Sequence, residues 1–142
     1  VVSQQTFKRH SMLNKKIEIK LNGVEIPLWF NNYASAELQK MYGADINTLM
    51  VTLVDRLQEN YLLILSDLIK AGIKGHCFAL DIPKPEYLAS VNLMVSSEPD
   101  ETLIPVWLEI WEVFKEHMGL NLPQSEDTGK KKVAKNTKKA TV

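Results

Sequence analysis

The side chains in this chain that could do chemistry are few and scattered. Its three histidines, His10, His76 and His117, include no pair at the i, i+4 spacing by which one helix face presents two metal ligands. The single cysteine, Cys77, cannot build a thiolate cluster or an internal disulfide. His76 and Cys77 are adjacent, a base beside a nucleophile, but neighbours in sequence project apart and no acid close by orients the imidazole. They read as a loop histidine next to a small buried thiol. Glu109, Glu112 and Glu116 fall at i, i+3 and i+7 and line one strip of a helix. With no histidine or further acid converging on them, a solvated edge is the expected role, not a cation site. No catalytic residue, cofactor or metal ligand is assigned, and the chain is expected not to be an enzyme.

Two segments suggest nucleic acid, and their contexts argue against it. The stretch GIKG, residues 72–75, has the GxxG form of the loop by which KH modules clamp nucleotides. Here a long apolar helix precedes it, so glycine termination of that helix is expected instead, with a loop over 75–84. From Glu126 onward six lysines stand against two acids, leaving eleven basic and fifteen acidic residues in the body. A mildly acidic body with a lysine tail that has no arginine or aromatic residue is poorly suited to gripping phosphates and stacking on bases. The reading disfavours nucleic acid as a partner.

The elements that would position any site begin with IEIKLNGVEIPLWF, residues 17–30. Asn22-Gly23 is a two-residue turn of the type I′ class, which pairs Leu21 with Val24, Ile19 with Ile26 and Ile17 with Leu28. Six aliphatic side chains therefore share one face of a hairpin, with Lys20 opposite Glu25 on the other. Because a lone hairpin is marginal in water, that face needs a cover, either the chain's own helices or a second copy.

Helical signals follow. Asn31 or Asn32 caps a short helix closed by Gly43. Asp45 or Asn47 opens a second, with Ile46, Leu49, Met50, Leu53, Val54 and Leu57 in one stripe. Residues 60–74 form a central helix, apolar on most of its circumference. Pro85 starts a fourth that runs to about Val95, with Leu88, Val91 and Val95 on its face. Asp100 or Thr102 caps the last, which holds Pro105 in its opening turn and ends at Gly119. On that helix, residues 104–118 spread their apolar members over an arc of roughly 220°, wider than the ~100° a core-facing stripe needs. Either the fold sandwiches it, with Trp107 and Trp111 filling the core, or Trp107, Ile110, Trp111 and Phe114 anchor a partner.

The expected fold is α+β: an N-terminal hairpin and about five helices in one domain over 15–122, after a flexible extension over 1–14 and before a disordered lysine-rich tail over 123–142. With 45% apolar and 24% charged residues the composition is that of an ordinary globular domain. No run is long enough to span a bilayer, so no membrane contact is expected, and a cytosolic location is.

The order hairpin, short helix ending KMYG, then a helix carrying LSDLIKAGIK resembles the tail assembly chaperones of long-tailed bacteriophages. The matching positions are Ile17, Ile19, Gly23, Leu28, Phe30, Tyr42, Gly43, Leu68, Ala71, Gly72 and Ile73. The resemblance is best over residues 15–75. It implies a non-catalytic chaperone without cofactors that holds the tape measure protein soluble until tail tube subunits assemble, is made in the host cytoplasm and is absent from the mature virion. It also implies a homo-oligomer, with Ile17, Ile19, Leu21, Val24, Ile26 and Leu28 packing the hairpin and leaving an edge for self-association. Many members have a frameshift-extended form, and the Lys130-Lys131-Lys132 run lies where such a slip would fall, which makes this the short form. The alternatives are a small nucleic-acid-associated regulator and a structural subunit kept in the virion.

Overall fold

A hairpin and five α-helices share a single apolar core in the computed structural model, which describes residues 16–119. The expected extension over 1–14 and tail over 123–142 lie outside the described residues. Strands β1 (Lys16–Leu21) and β2 (Val24–Trp29) pair antiparallel in the register that the turn dictates, Leu21 with Val24, Ile19 with Ile26 and Ile17 with Leu28. Asn22 and Gly23 both have positive φ, 51° and 77°, the type I′ signature. Ile19, Leu21, Ile26 and Leu28 are buried, and Ile17 and Val24 pack half-buried against the same core. On the wet face the Lys16 ammonium sits 4.5 Å from the centre of the Trp29 ring. The cover that the hairpin needed comes from the chain itself.

Helix α1 (Asn32–Tyr42) starts because the Asn31 carboxamide accepts from the Ala34 amide at 3.0 Å, and stops at Gly43, whose φ is 62°. Helix α2 (Ile46–Glu59) is capped by Asp45, which accepts from Thr48 N at 2.9 Å. Its stripe is narrower than its periodicity suggests: Leu49 and Leu53 are buried, Met50 and Leu57 lean on the core, and Ile46 and Val54 are exposed.

The largest departure from expectation is α3 (Leu62–Leu80), which runs through both glycines of the GIKG stretch and ends only at Asp81, φ 55°. The expected glycine stop and the loop over 75–84 are corrected. Gly72 and Gly75 are where β2 comes to rest on the helix. A Cβ at Gly72 would lie 2.9 Å from Leu28 Cβ, and one at Gly75 would run into the Trp29 carbonyl oxygen. Close approach of two backbones offsets the ~1 kcal/mol that a helix-interior glycine costs. The Asn31 carboxamide, which caps α1, also donates from Nδ2 to the Gly75 carbonyl at 3.1 Å and ties the three elements together. His76 and Cys77 consequently sit on a helix and not in a loop.

After α3 the chain does not form the single helix expected from Pro85 to Val95. It makes a 3-10 turn, Glu86–Ser90, and then α4 (Val91–Ser97). Pro85 is extended, φ −73° and ψ 157°, and Leu88 and Val91, three apart, both reach the core. Helix α5 (Asp100–His117) begins after Pro99, earlier than expected, so Pro105 lies in the second turn and not the first. Its missing N–H leaves the Glu101 carbonyl without its helical donor, and both residues are exposed, so water can take the bond. Helix α3 is central: β2, α1, α2 and α4 all pack on it, while α5 packs on β1.

Two buried polar side chains fasten α1 within this frame. Glu37 accepts from Lys40 at 3.1 Å and from Lys74 of α3 at 3.2 Å. Burial pushes its carboxyl pKa up, but the two lysines outweigh burial and hold it below the usual 4.5. A carboxylate with a lowered folded pKa contributes stability that is complete above the unfolded value and is lost as pH falls through the folded one. Thermal unfolding followed from neutral pH to about pH 3 should therefore show a steeper loss of stability for the native chain than for Glu37→Gln. Equal slopes in the two proteins would remove Glu37 as a source of acid sensitivity.

Candidate functional site

Helix α5 has more apolar circumference than the core covers. Asp100 and Glu101 in its first turn and Lys115 and His117 in its last complement the helix dipole. At 100° per residue, Val113, Ile110, Leu103, Phe114 and Trp107 occupy an arc of about 120°, and these five are its buried residues. The apolar arc then continues past the core. Trp111 is half-buried, Ile104 is 44% exposed and Leu108 is 59% exposed, and these three fall at i, i+4 and i+7. The Trp107 and Trp111 rings stack at 5.1 Å, joining the covered and uncovered parts of the arc. Trp107 also meets the Tyr61 ring at 5.9 Å, and the Tyr61 hydroxyl donates to Asp100 Oδ1 at 2.9 Å, which pins the start of α5 to the start of α3. Burial and the Asp100 carboxylate both push the Tyr61 phenol pKa up.

This geometry changes which residues of α5 can meet a partner. Of the four anchors expected, Trp107, Ile110 and Phe114 are core residues, and only Trp111 reaches the surface. The reason is packing: Phe114 sits edge-to-face on Phe30 at the end of β2, and the other two share the interior with it. Ile104 and Leu108, one turn apart and beside Trp111, form the accessible stripe instead, bordered by Glu101, Pro105 and Glu112. Sequence periodicity identifies the width of the arc. It does not show which side the rest of the fold covers.

Among the described residues, His76, Cys77 and the α5 glutamates do not form a metal-binding group. His76 is half-buried and burial pushes its pKa down, with Lys16 adding to the effect. Burial pushes the Cys77 thiol up, the opposite of what an attacking thiolate needs. Glu112 approaches Lys115 at 3.6 Å along its own helix, and Glu109 is exposed. Among the described residues, no three histidine, cysteine, aspartate or glutamate side chains gather in a group that could hold a metal ion. Ser35 Oγ lies 2.8 Å from His117 Nε2, a contact between residues 82 apart that no local pattern foretells. Ser35 is 3% exposed, so the pair ties the end of α5 to α1 and leaves no approach for a substrate carbonyl. No helix among the described residues is long and apolar enough to cross a membrane.

No family model, curated protein or solved structure matches the chain. The functional reading rests on its surface. A second apolar cluster lies at the far end of α3, where Phe78 is 63% exposed, stacks on Tyr33 at 4.2 Å and is followed by exposed Leu80 and Ile82. Unlike the α5 stripe it straddles a helix end and lacks a helical repeat.

Proposed function

We propose that the protein is a binding module, not a catalyst, and that it acts as a tail assembly chaperone holding the tape measure protein soluble in the host cytoplasm until tail tube subunits arrive, without remaining in the virion. The observation that carries this reading is the uncovered part of the α5 arc, Ile104, Leu108 and Trp111. A stripe at i, i+4 and i+7 fits a helical client that lays its own apolar seam alongside, and the flanking carboxylates give that contact a polar rim. A long coiled-coil protein exposes such a seam until its partners assemble. The hairpin followed by helices, in the register that the turn specifies, is the arrangement that the resemblance to this family implies.

The test is co-expression of the full chain with the longest coiled-coil protein encoded just downstream, reading the fraction of that client in the soluble phase. Native chain should raise it and co-purify with the client. The double variant Ile104→Glu with Leu108→Glu should lose both effects while unfolding at a native-like temperature, since both side chains already reach solvent. A client equally insoluble with and without the native chain would end this reading. Full retention of rescue by the double variant would move the client contact away from α5.

A further inference from the structure

The hairpin turn is the one place in the sequence where an asparagine precedes a glycine. Every other asparagine is followed by a residue whose side chain shields the intervening amide nitrogen from the asparagine's own carboxamide. Glycine offers no such shield. A Cβ built at Gly23 would meet nothing within 4 Å, Asn22 and Gly23 are both exposed, and among the described residues no group accepts from the Gly23 amide. Asn22 itself is held. Its backbone N–H donates to Glu98 Oε2 at 2.6 Å, and its Nδ2 donates to the same oxygen at 2.9 Å and to the Met94 carbonyl at 3.4 Å. The turn is thereby clamped to the junction of α4 and α5, and the bonds from Asn22 hold the Glu98 carboxyl below its usual pKa.

We infer that Asn22-Gly23 is a self-modification site, at which the chain converts asparagine to aspartate and isoaspartate, and that Glu98 sets the rate by holding the carboxamide. The Gly23 backbone nitrogen, having given its proton to hydroxide, attacks Asn22 Cγ. The Cγ–Nδ2 bond breaks, ammonia leaves, and a five-membered succinimide joins Cγ to the Gly23 nitrogen. Water then adds to one of the two ring carbonyls. Opening at Cγ leaves aspartate on the original backbone, and opening at the Asn22 carbonyl carbon leaves isoaspartate, with the chain running through the former side chain. Ring closure requires the carboxamide to swing about the Cα–Cβ bond toward Gly23, which it can do only when its bonds to Glu98 and Met94 open. Aspartate then puts a second carboxylate where Nδ2 donated to Glu98, and like charges repel where a charge-assisted hydrogen bond stood. Isoaspartate removes the donor as well, and adds a methylene to a turn whose register depends on having two residues. Either product releases the hairpin from α4. This inference does not depend on client binding through α5.

Peptide mapping by mass spectrometry, on full chain held at mildly alkaline pH, tests it. Asn22 should gain the mass by which water exceeds ammonia, faster at higher pH, while Asn92, exposed on α4 but followed by Leu93, should not change. Glu98→Ala should speed the conversion by about tenfold, the factor for losing a charge-assisted hydrogen bond, and urea-unfolded chain should convert faster still. Glu37→Gln, which loosens α1 from α3 in another part of the fold, should leave the native rate unchanged, so that local release is told apart from global unfolding. Asn22→Asp stands in for one product. It should lower the urea midpoint, and adding Glu98→Gln, which sets an amide donor opposite the new carboxylate, should recover most of the loss. No conversion in native chain or in Glu98→Ala, over the time in which urea-unfolded chain converts fully, would overturn the proposal. So would a Glu98→Ala rate equal to the native one, an equal acceleration by Glu37→Gln, or a midpoint unmoved by Asn22→Asp.

Discussion

Gly75→Ala is expected to destabilise the protein by about 1 to 3 kcal/mol, the range for forcing an extra methyl into a filled site. The usual sign is the opposite, because glycine in a helix interior costs up to ~1 kcal/mol relative to alanine. What reverses it is the identity of the neighbours. The added Cβ would collide with the Trp29 carbonyl oxygen, lie 2.8 Å from Asn31 Oδ1 and 3.2 Å from Ala34 Cβ. None of these can move cheaply: the first is backbone, and the second is the acceptor that caps α1. At Gly72 the nearest atoms are side-chain carbons of Leu28 and Phe30, so Gly72→Ala should cost less than Gly75→Ala. Gly43 has open space around it but a φ of 62°, and alanine there meets only the left-handed penalty of roughly 1 to 2 kcal/mol. Urea unfolding midpoints for the three variants would establish the order. A gain in stability for Gly75→Ala would mean that β2 does not rest on α3 as described.

That experiment bears on why some of the fold could be read from residues alone and some could not. The hairpin was legible because Asn22-Gly23 fixes its own register, and alternation then sorts every side chain to a face. The starts of α1 and α2 were legible for a related reason, since a capping side chain acts on an amide three residues away. Gly72 and Gly75 were not. A glycine that ends a helix and one that admits a neighbouring backbone are the same residue, and only a partner distant in sequence tells them apart. The same limit governed α5: periodicity measured the apolar arc, yet the division between Phe114, which meets Phe30, and Leu108, which meets water, depends on residues more than eighty positions away.

The positions that carry the resemblance to phage tail assembly chaperones also have physical roles here. Ile19, Leu28, Phe30, Leu68, Ala71, Gly72 and Ile73 are buried, Gly23 makes the turn, and Gly43 closes α1. Tyr42 donates to Asp67 at 2.7 Å and its phenol pKa is pushed up, first by burial and then by that carboxylate. Such positions specify how a hairpin lies on helices. The surface that would choose a client, the Ile104 and Leu108 stripe, lies elsewhere and has to be read from exposure.

Phe30→Ala is expected to cost about 3 to 5 kcal/mol, a large share of the ~5 to 15 kcal/mol by which a domain of this kind is stable. Phe30 is fully buried at the end of β2, its ring edge-to-face with Phe114 at 5.7 Å and its Cζ against the backbone of Gly72. Truncation would open a cavity where the hairpin, α3 and α5 meet, and none of the three can close it without breaking its other contacts. Phe78 provides the comparison. It is also aromatic and also paired with a ring, Tyr33 at 4.2 Å, but with 63% of its surface in water its truncation forfeits little beyond the stacking, worth about 0.5 to 1.5 kcal/mol. Denaturant titration of both variants should therefore separate them by at least about 1.5 kcal/mol. If Phe30→Ala unfolded no earlier than Phe78→Ala, the helices would not be the cover that the hairpin needs, and its six aliphatic side chains would have to find that cover in a second copy.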